Sequence, residues 1–111
     1  MAGDGKRSRE PAFERDTELA VETKKKTKKP PLYKVILHND DFTPMEWVEL
    51  ILMKVFQKTE SDARAIMLHA HTRGHAVAGV YVFEIAEAKV KETIALSREA
   101  EFPLLATLEP D

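Results

Sequence analysis

Apolar residues along the chain follow two kinds of period, one typical of strands and one typical of helices. Residues 33–38 are β-rich and end at the turn-forming run Asn39-Asp40-Asp41, which predicts a strand followed by a loop. Residues 76–83 and the LLATLE segment near the carboxyl end predict two further strands. Gly79, in the middle of the second strand, predicts a bulge or a close backbone approach.

The segments between these strands have apolar residues at helical spacing. Thr43, Pro44 and Glu46 match a capping box with proline at the first helical position, so we predict that the first helix begins there. Its apolar residues recur at helical spacing and include Met45, Trp47, Val48, Ile51, Leu52, Val55 and Phe56.

Two more helices complete the predicted fold. A second helix over residues 60–72 is followed by Gly74 as its terminator, and its buried stripe comprises Ala63, Ile66, Met67 and Ala70. A third helix runs from about residue 84 to residue 98. The order β-α-α-β-α-β predicts an α+β domain in which a three-stranded antiparallel sheet packs against three helices.

Charge divides the chain into two unlike parts. Residues 1–29 hold nine Lys or Arg and six Asp or Glu with few apolar residues, so we predict a disordered extension before a folded domain over residues 30–111. The rest holds eight basic and thirteen acidic residues, a poor composition for binding nucleic acid. No run is long and apolar enough for a membrane span or a signal peptide, and cysteine is absent, so we expect a cytoplasmic protein without disulfides.

Catalysis and metal binding find little support in the sequence. His69 and His71 point about 200° apart on one helix, and Gly74 separates His71 from His75, so we expect no metal site. Adjacent Asp40 and Asp41 would point to opposite sides of an extended segment, and no cysteine nucleophile exists. We therefore expect a protein that is not an enzyme and needs no cofactor.

The same residues suit a binding pocket. Asn39 and Asp41 can face one side, while His71 ends the second helix four residues after Met67. Hydrogen-bond acceptors would then border an apolar hole, which suits a ligand with a cationic head and an apolar side chain, such as the free N-terminus of a peptide. On spacing alone, the alternative that these methionines belong to the core and that the acidic run is merely a turn stays open.

Four motifs occur in order along residues 30–111: YKVILHNDDFTPMEWV, IMLHAHTRG, GVYVFEIAEAKV and FPLLATLEPD. Together they resemble the bacterial ClpS family of Clp protease adaptors. The resemblance implies an adaptor that binds N-degrons, proteins with N-terminal Leu, Phe, Tyr or Trp, and delivers them to the N-terminal domain of a ClpA-type AAA+ unfoldase. We also expect a monomer, and the acidic charge and the lack of long apolar runs predict no nucleic-acid or membrane partner.

The resemblance assigns roles to individual residues of this sequence. It implies α-amino binding by Asn39, Asp40, Asp41 and His71, with Asp41 preferred over Asp40 on the same-side argument. The implied pocket wall comprises Thr43, Met45, Val48, Ile51, Met67 and Ala70, and the implied unfoldase contacts are Glu84 and Lys89. Ala70 stands where a larger valine is usual in the family, so the sequence resembles a divergent paralogue.

Two alternatives belong to other functional classes. The basic run KKKTKK at residues 24–29 could dock the chain on a ribosome or nucleic acid, with the folded part as a passive module. The four histidines could instead serve a metal-dependent hydrolase.

Overall fold

The computed structural model describes residues 29–111, which form the α+β domain that the sequence predicts. The predicted disorder of residues 1–28 and most of the basic run lie outside the described residues. The elements, in chain order, are β1 (Leu32–His38), α1 (Met45–Lys54), α2 (Glu60–Arg73), β2 (His75–Val82), α3 (Phe83–Glu99) and β3 (Leu105–Pro110).

The three strands form one antiparallel sheet in the order β2-β1-β3, so the first strand of the chain is the central one. Side chains on one face of β1, including Val35 and Leu37, are fully buried against the helices. Because successive strand residues point to opposite faces, Ile36 lies on the other face of the sheet and outside this core. Within residues 29–111 no helix is long and apolar enough to cross a membrane.

The irregularity predicted at Gly79 is present in the pairing of β1 with β2. Val35 pairs with Gly79 while Ile36 pairs with Val77, so one extra residue is inserted in β2. A Cβ atom at Gly79 would collide with the ring of Tyr81, coming 2.7 Å from its Cε2 and Cζ atoms. A larger residue here would require the ring of Tyr81, which lies against the backbone of residue 79, to shift.

The predicted capping box at the start of α1 is wrong. Pro44 occupies the N-cap position without a side-chain hydrogen bond, and its carbonyl oxygen accepts from the amides of Trp47 and Val48. The Thr43 hydroxyl donates instead to Asp40 Oδ2 at 2.8 Å. Thr43 therefore organises the preceding loop rather than the helix end. A threonine cap does occur at α2, where Thr59 accepts from the amide of Asp62.

Two buried hydroxyls on α3 differ in their hydrogen bonding. Ser97 is fully buried, and its Oγ accepts from Trp47 Nε1 at 2.9 Å, which ties α3 to α1. Thr93 is also fully buried, but its Oγ1 has no hydrogen-bond partner among the described residues. A buried polar group without a partner has lost its hydration and gained nothing in return.

These two hydroxyls predict opposite effects on stability. Thr93→Val should raise the free energy of unfolding by about 1 kcal/mol, because the isosteric methyl group needs no hydrogen bond. Ser97→Ala should lower it by about 1 to 2 kcal/mol, because the indole N–H of Trp47 would lose its acceptor. Urea denaturation followed by circular dichroism measures both, and a destabilised Thr93→Val variant would contradict the assignment.

Candidate functional site

The site begins where β1 ends. Beyond His38 the pairing of β1 with the segment that leads into β2 continues for one residue, since Asn39 N donates to Gly74 O at 2.9 Å. Gly74 terminates α2 with φ of +93°, a left-handed conformation that favours glycine, and its own amide donates to Ala70 O. This arrangement brings Asn39 next to the last turn of α2, which carries His71.

The loop after Asn39 is fixed by the carboxylate of Asp40. Oδ1 accepts from the amides of Phe42 and Thr43 at 2.8 and 2.7 Å, while Oδ2 accepts from the Thr43 hydroxyl. Such side-chain to backbone bonds over two or three residues form an Asx turn, which holds the loop and the carboxylate together. An ionised carboxylate offers about four acceptor sites, so Asp40 retains capacity for a further donor.

The two helices that follow contribute the apolar part of the site. Met45 opens α1 and is 45% exposed, while Val48 lies one turn further along and is buried. Met67 and Ala70 of α2 are also buried. Because residues three and four apart share a helical face, Met67, Ala70 and His71 face the same region.

These segments enclose a narrow cavity that opens to solvent. Its deep wall is apolar and nearly inaccessible, whereas Asn39 and His71 at its rim are exposed. The lining residues are Leu37, His38, Asn39, Asp40, Thr43, Met45, Val48, Met67, Ala70, His71 and Leu104.

Most of the predicted site residues thus lie around one cavity, but two do not. Asp41 is exposed on the loop outside the cavity wall, and it is Asp40 that lines the cavity. The tight turn around Asp40 explains this difference, because the same-side argument assumed an extended segment. Ile51 is 1% exposed in the hydrophobic core, one turn beyond Val48, and does not reach the cavity.

Three lining residues were missed by the sequence analysis: Leu37, His38 and Leu104. The first two belong to β1, which the sequence predicted only as a strand. Leu104 is 1% exposed and reaches the cavity because β3 pairs with β1, with Leu105 opposite His38. Local patterns could not have revealed this contact between distant parts of the chain.

The proposed unfoldase contacts, Glu84 and Lys89, lie on α3 away from the cavity lining. Glu84 is exposed in the first turn of the helix. Lys89 is half-buried, and its Nζ donates to Val55 O at 2.6 Å while lying 5.4 Å from the ring centre of Tyr81. Burial raises the pKa of the Tyr81 hydroxyl above its ordinary value.

The cavity combines polar and apolar groups. Oxygen and imidazole groups stand at its rim, and most of its wall is apolar. The whole chain lacks cysteine, and residues 29–111 contain no group of three His, Asp or Glu side chains that could hold a metal ion. The arrangement fits a small cation that carries an apolar substituent.

Comparisons with known proteins identify the family of this chain. A family model described as ATP-dependent Clp protease adaptor protein ClpS matches residues 28–107. The chain is 48% identical over 100 residues to the ATP-dependent Clp protease adapter protein ClpS of Myxococcus xanthus, covering 88% of this chain and 94% of that relative. The corresponding protein of Maricaulis maris is 47% identical over 98 residues, covering 88% of this chain and 90% of that relative.

A solved structure is also similar. Agrobacterium tumefaciens ClpS2 bound to L-phenylalaninamide matches with a TM-score of 0.72 and 48% sequence identity, covering 75% of this chain and all of the solved one. The family match spans more than half of the chain, and the relatives align over most of their own length. The chain belongs to the ClpS family of ATP-dependent Clp protease adaptor proteins.

Proposed function

We propose that this adaptor binds proteins with a bulky hydrophobic N-terminal residue and delivers them to a ClpA-type AAA+ unfoldase for degradation by the Clp protease. The observation that carries the proposal is the cavity with a buried apolar wall and an exposed rim of acceptors. Only the first residue of a polypeptide combines a free α-ammonium group with a side chain on the same carbon atom.

The ligand of the solved relative supports this assignment. L-phenylalaninamide, bound to Agrobacterium tumefaciens ClpS2, has a free α-amino group and an aromatic side chain, while its carboxyl end is capped as it would be in a longer chain. It is therefore a minimal copy of a protein that begins with phenylalanine. The cavity lining of the present chain offers complementary groups to each of these features.

In this proposal the α-ammonium donates to Asn39, Asp40 and His71, and the first side chain enters between Val48, Met67 and Ala70. Charge-assisted hydrogen bonds are the strong kind, and apolar burial contributes roughly 25 cal/mol per Å². As first residues, Leu, Phe, Tyr and Trp have large apolar or aromatic side chains that can contact the apolar wall. Met45, half exposed at the rim, narrows the entrance.

Delivery to the unfoldase is assigned to α3, on Glu84 and Lys89. Glu84 is free to meet a partner at the surface, whereas Lys89 is held by the carbonyl oxygen of Val55 and would exchange that contact on docking. We place this activity in the cytoplasm and assign it to the monomer.

A peptide pair tests the proposal directly. A fluorescent peptide beginning with phenylalanine should bind, and its N-acetylated twin should bind at least 100-fold more weakly, because acetylation removes the charge and two N–H donors. Fluorescence anisotropy measures both affinities. Equal affinities of the two peptides would refute the assignment, and a peptide that begins with glycine controls for binding along the rest of the chain.

A further inference from the structure

Phe42 has the most exposed large hydrophobic side chain among residues 29–111, at 79% of its full accessible area. Single exposed apolar residues are common on protein surfaces, so exposure alone assigns no role. The backbone beneath this ring is fixed, however, because Phe42 N donates to Asp40 Oδ1 at 2.8 Å. The ring is therefore presented to solvent from an ordered turn.

The position of this ring relates it to the cavity. Asp40 and Thr43, its neighbours in the same turn, both line the cavity, whereas Phe42 does not. Met45, three residues further along, is half exposed and lines the entrance. Phe42 thus lies on the loop that borders the cavity but outside the cavity wall, where it cannot touch a first side chain buried within.

The loop that carries Phe42 forms one border of the cavity, so it is adjacent to any polypeptide that leaves the cavity on this side. The inference rests on the proposed function, in which the first side chain fills the cavity and the α-ammonium meets Asn39 and Asp40. Consecutive Cα atoms are about 3.8 Å apart, so the second residue begins beside the rim and cannot enter the cavity. The apolar group that the loop offers to its side chain is the ring of Phe42.

We propose that Phe42 contacts the second residue of the bound substrate and favours substrates whose second side chain is aliphatic or aromatic. The contact adds selectivity to the adaptor without taking part in recognition of the first residue. Aromatic surface contacts of this kind correspond to affinity changes of about three- to tenfold.

The test compares Phe42→Ala with the wild-type protein on three ligands: phenylalaninamide, a Phe-Leu peptide and a Phe-Gly peptide. Isothermal titration calorimetry should show that the variant binds the Phe-Leu peptide about three- to tenfold more weakly. Its affinities for phenylalaninamide and the Phe-Gly peptide should stay within about twofold of the wild type. Phe42→Tyr should retain the preference for leucine, because tyrosine keeps the aromatic ring.

Leu68→Ala is the matched control, since Leu68 is 48% exposed on α2 and lies outside the cavity lining. It should leave all three affinities unchanged. An equal loss of all three ligands in Phe42→Ala would overturn the inference, because Phe42 would then act through the loop and not on the second residue. Unchanged affinities of Phe42→Ala for all three ligands would also overturn the inference. Failure of the wild type to bind phenylalaninamide would instead refute the proposed function and, with it, the inference.

Discussion

Ala70→Leu should reduce the affinity for a phenylalanine-initiated peptide about 30-fold or more. Ala70 is 4% exposed in the cavity wall, so three added carbon atoms occupy space that the ligand side chain would fill. Excluding a phenylalanine side chain forfeits about 2 to 3 kcal/mol of apolar burial, which corresponds to that factor. Anisotropy titrations with phenylalanine- and leucine-initiated peptides measure the loss.

The same variant should be less stable by about 1 to 3 kcal/mol. Leucine is nearly as good a helix former as alanine, but Ala70 is buried in the wall of a narrow cavity, so the larger side chain crowds its neighbours. Ala65→Leu is the matched control, because Ala65 is exposed on the same helix and does not line the cavity. Undiminished peptide binding by a folded Ala70→Leu variant would show that the ligand binds elsewhere.

Asp40→Ala should weaken both the fold and the binding. The variant loses three hydrogen bonds, from Phe42 N, Thr43 N and Thr43 Oγ1, which should lower the free energy of unfolding by about 1 to 2 kcal/mol at this partly exposed site. The α-ammonium loses its carboxylate partner as well, so the affinity should fall about 30-fold or more. Urea denaturation and peptide titration give the two values.

Two further variants separate the effect of the Asp40 charge on binding from the effect of its hydrogen bonds on the stability of the loop. Asp40→Asn keeps an oxygen that can accept from the two amides, so it should restore most of the stability while binding stays weak. Asp41→Ala removes the neighbouring carboxylate, which lies outside the cavity wall, and should cost only a few-fold in affinity. A larger loss in Asp41→Ala than in Asp40→Asn would transfer the ammonium contact to Asp41.

The order of elements could be read from the sequence because each has a strong local pattern. Three local signals predict what the structure contains: the β-rich run at residues 33–38, the helical recurrence through Val48 and Leu52, and the glycine that ends α2. The bulge at Gly79 was likewise predicted from the glycine itself. These signals depend on neighbours within a turn or two, where sequence spacing translates directly into geometry.

Sequence patterns were less informative where tertiary contacts determine the position of a side chain. Thr43 has the residue type of a helix cap, yet a nearby carboxylate competes for its hydroxyl. Leu104 joins the cavity through strand pairing over a long sequence separation, which no local period can report. The sequence around Lys89 is typical of a solvent-exposed charge on a helix, but its Nζ donates to the carbonyl oxygen of Val55 at the end of α1.

The hydrogen bond between Asn39 N and Gly74 O has a consequence for the kinetics of capture. Because it joins the end of the first strand to the end of the second helix, the backbone segments that carry the rim acceptors are held together before a ligand arrives. A preorganised rim pays little entropy for ordering on binding. Association should then be similarly fast for all substrates, and preferences among them should reside in the time each complex survives.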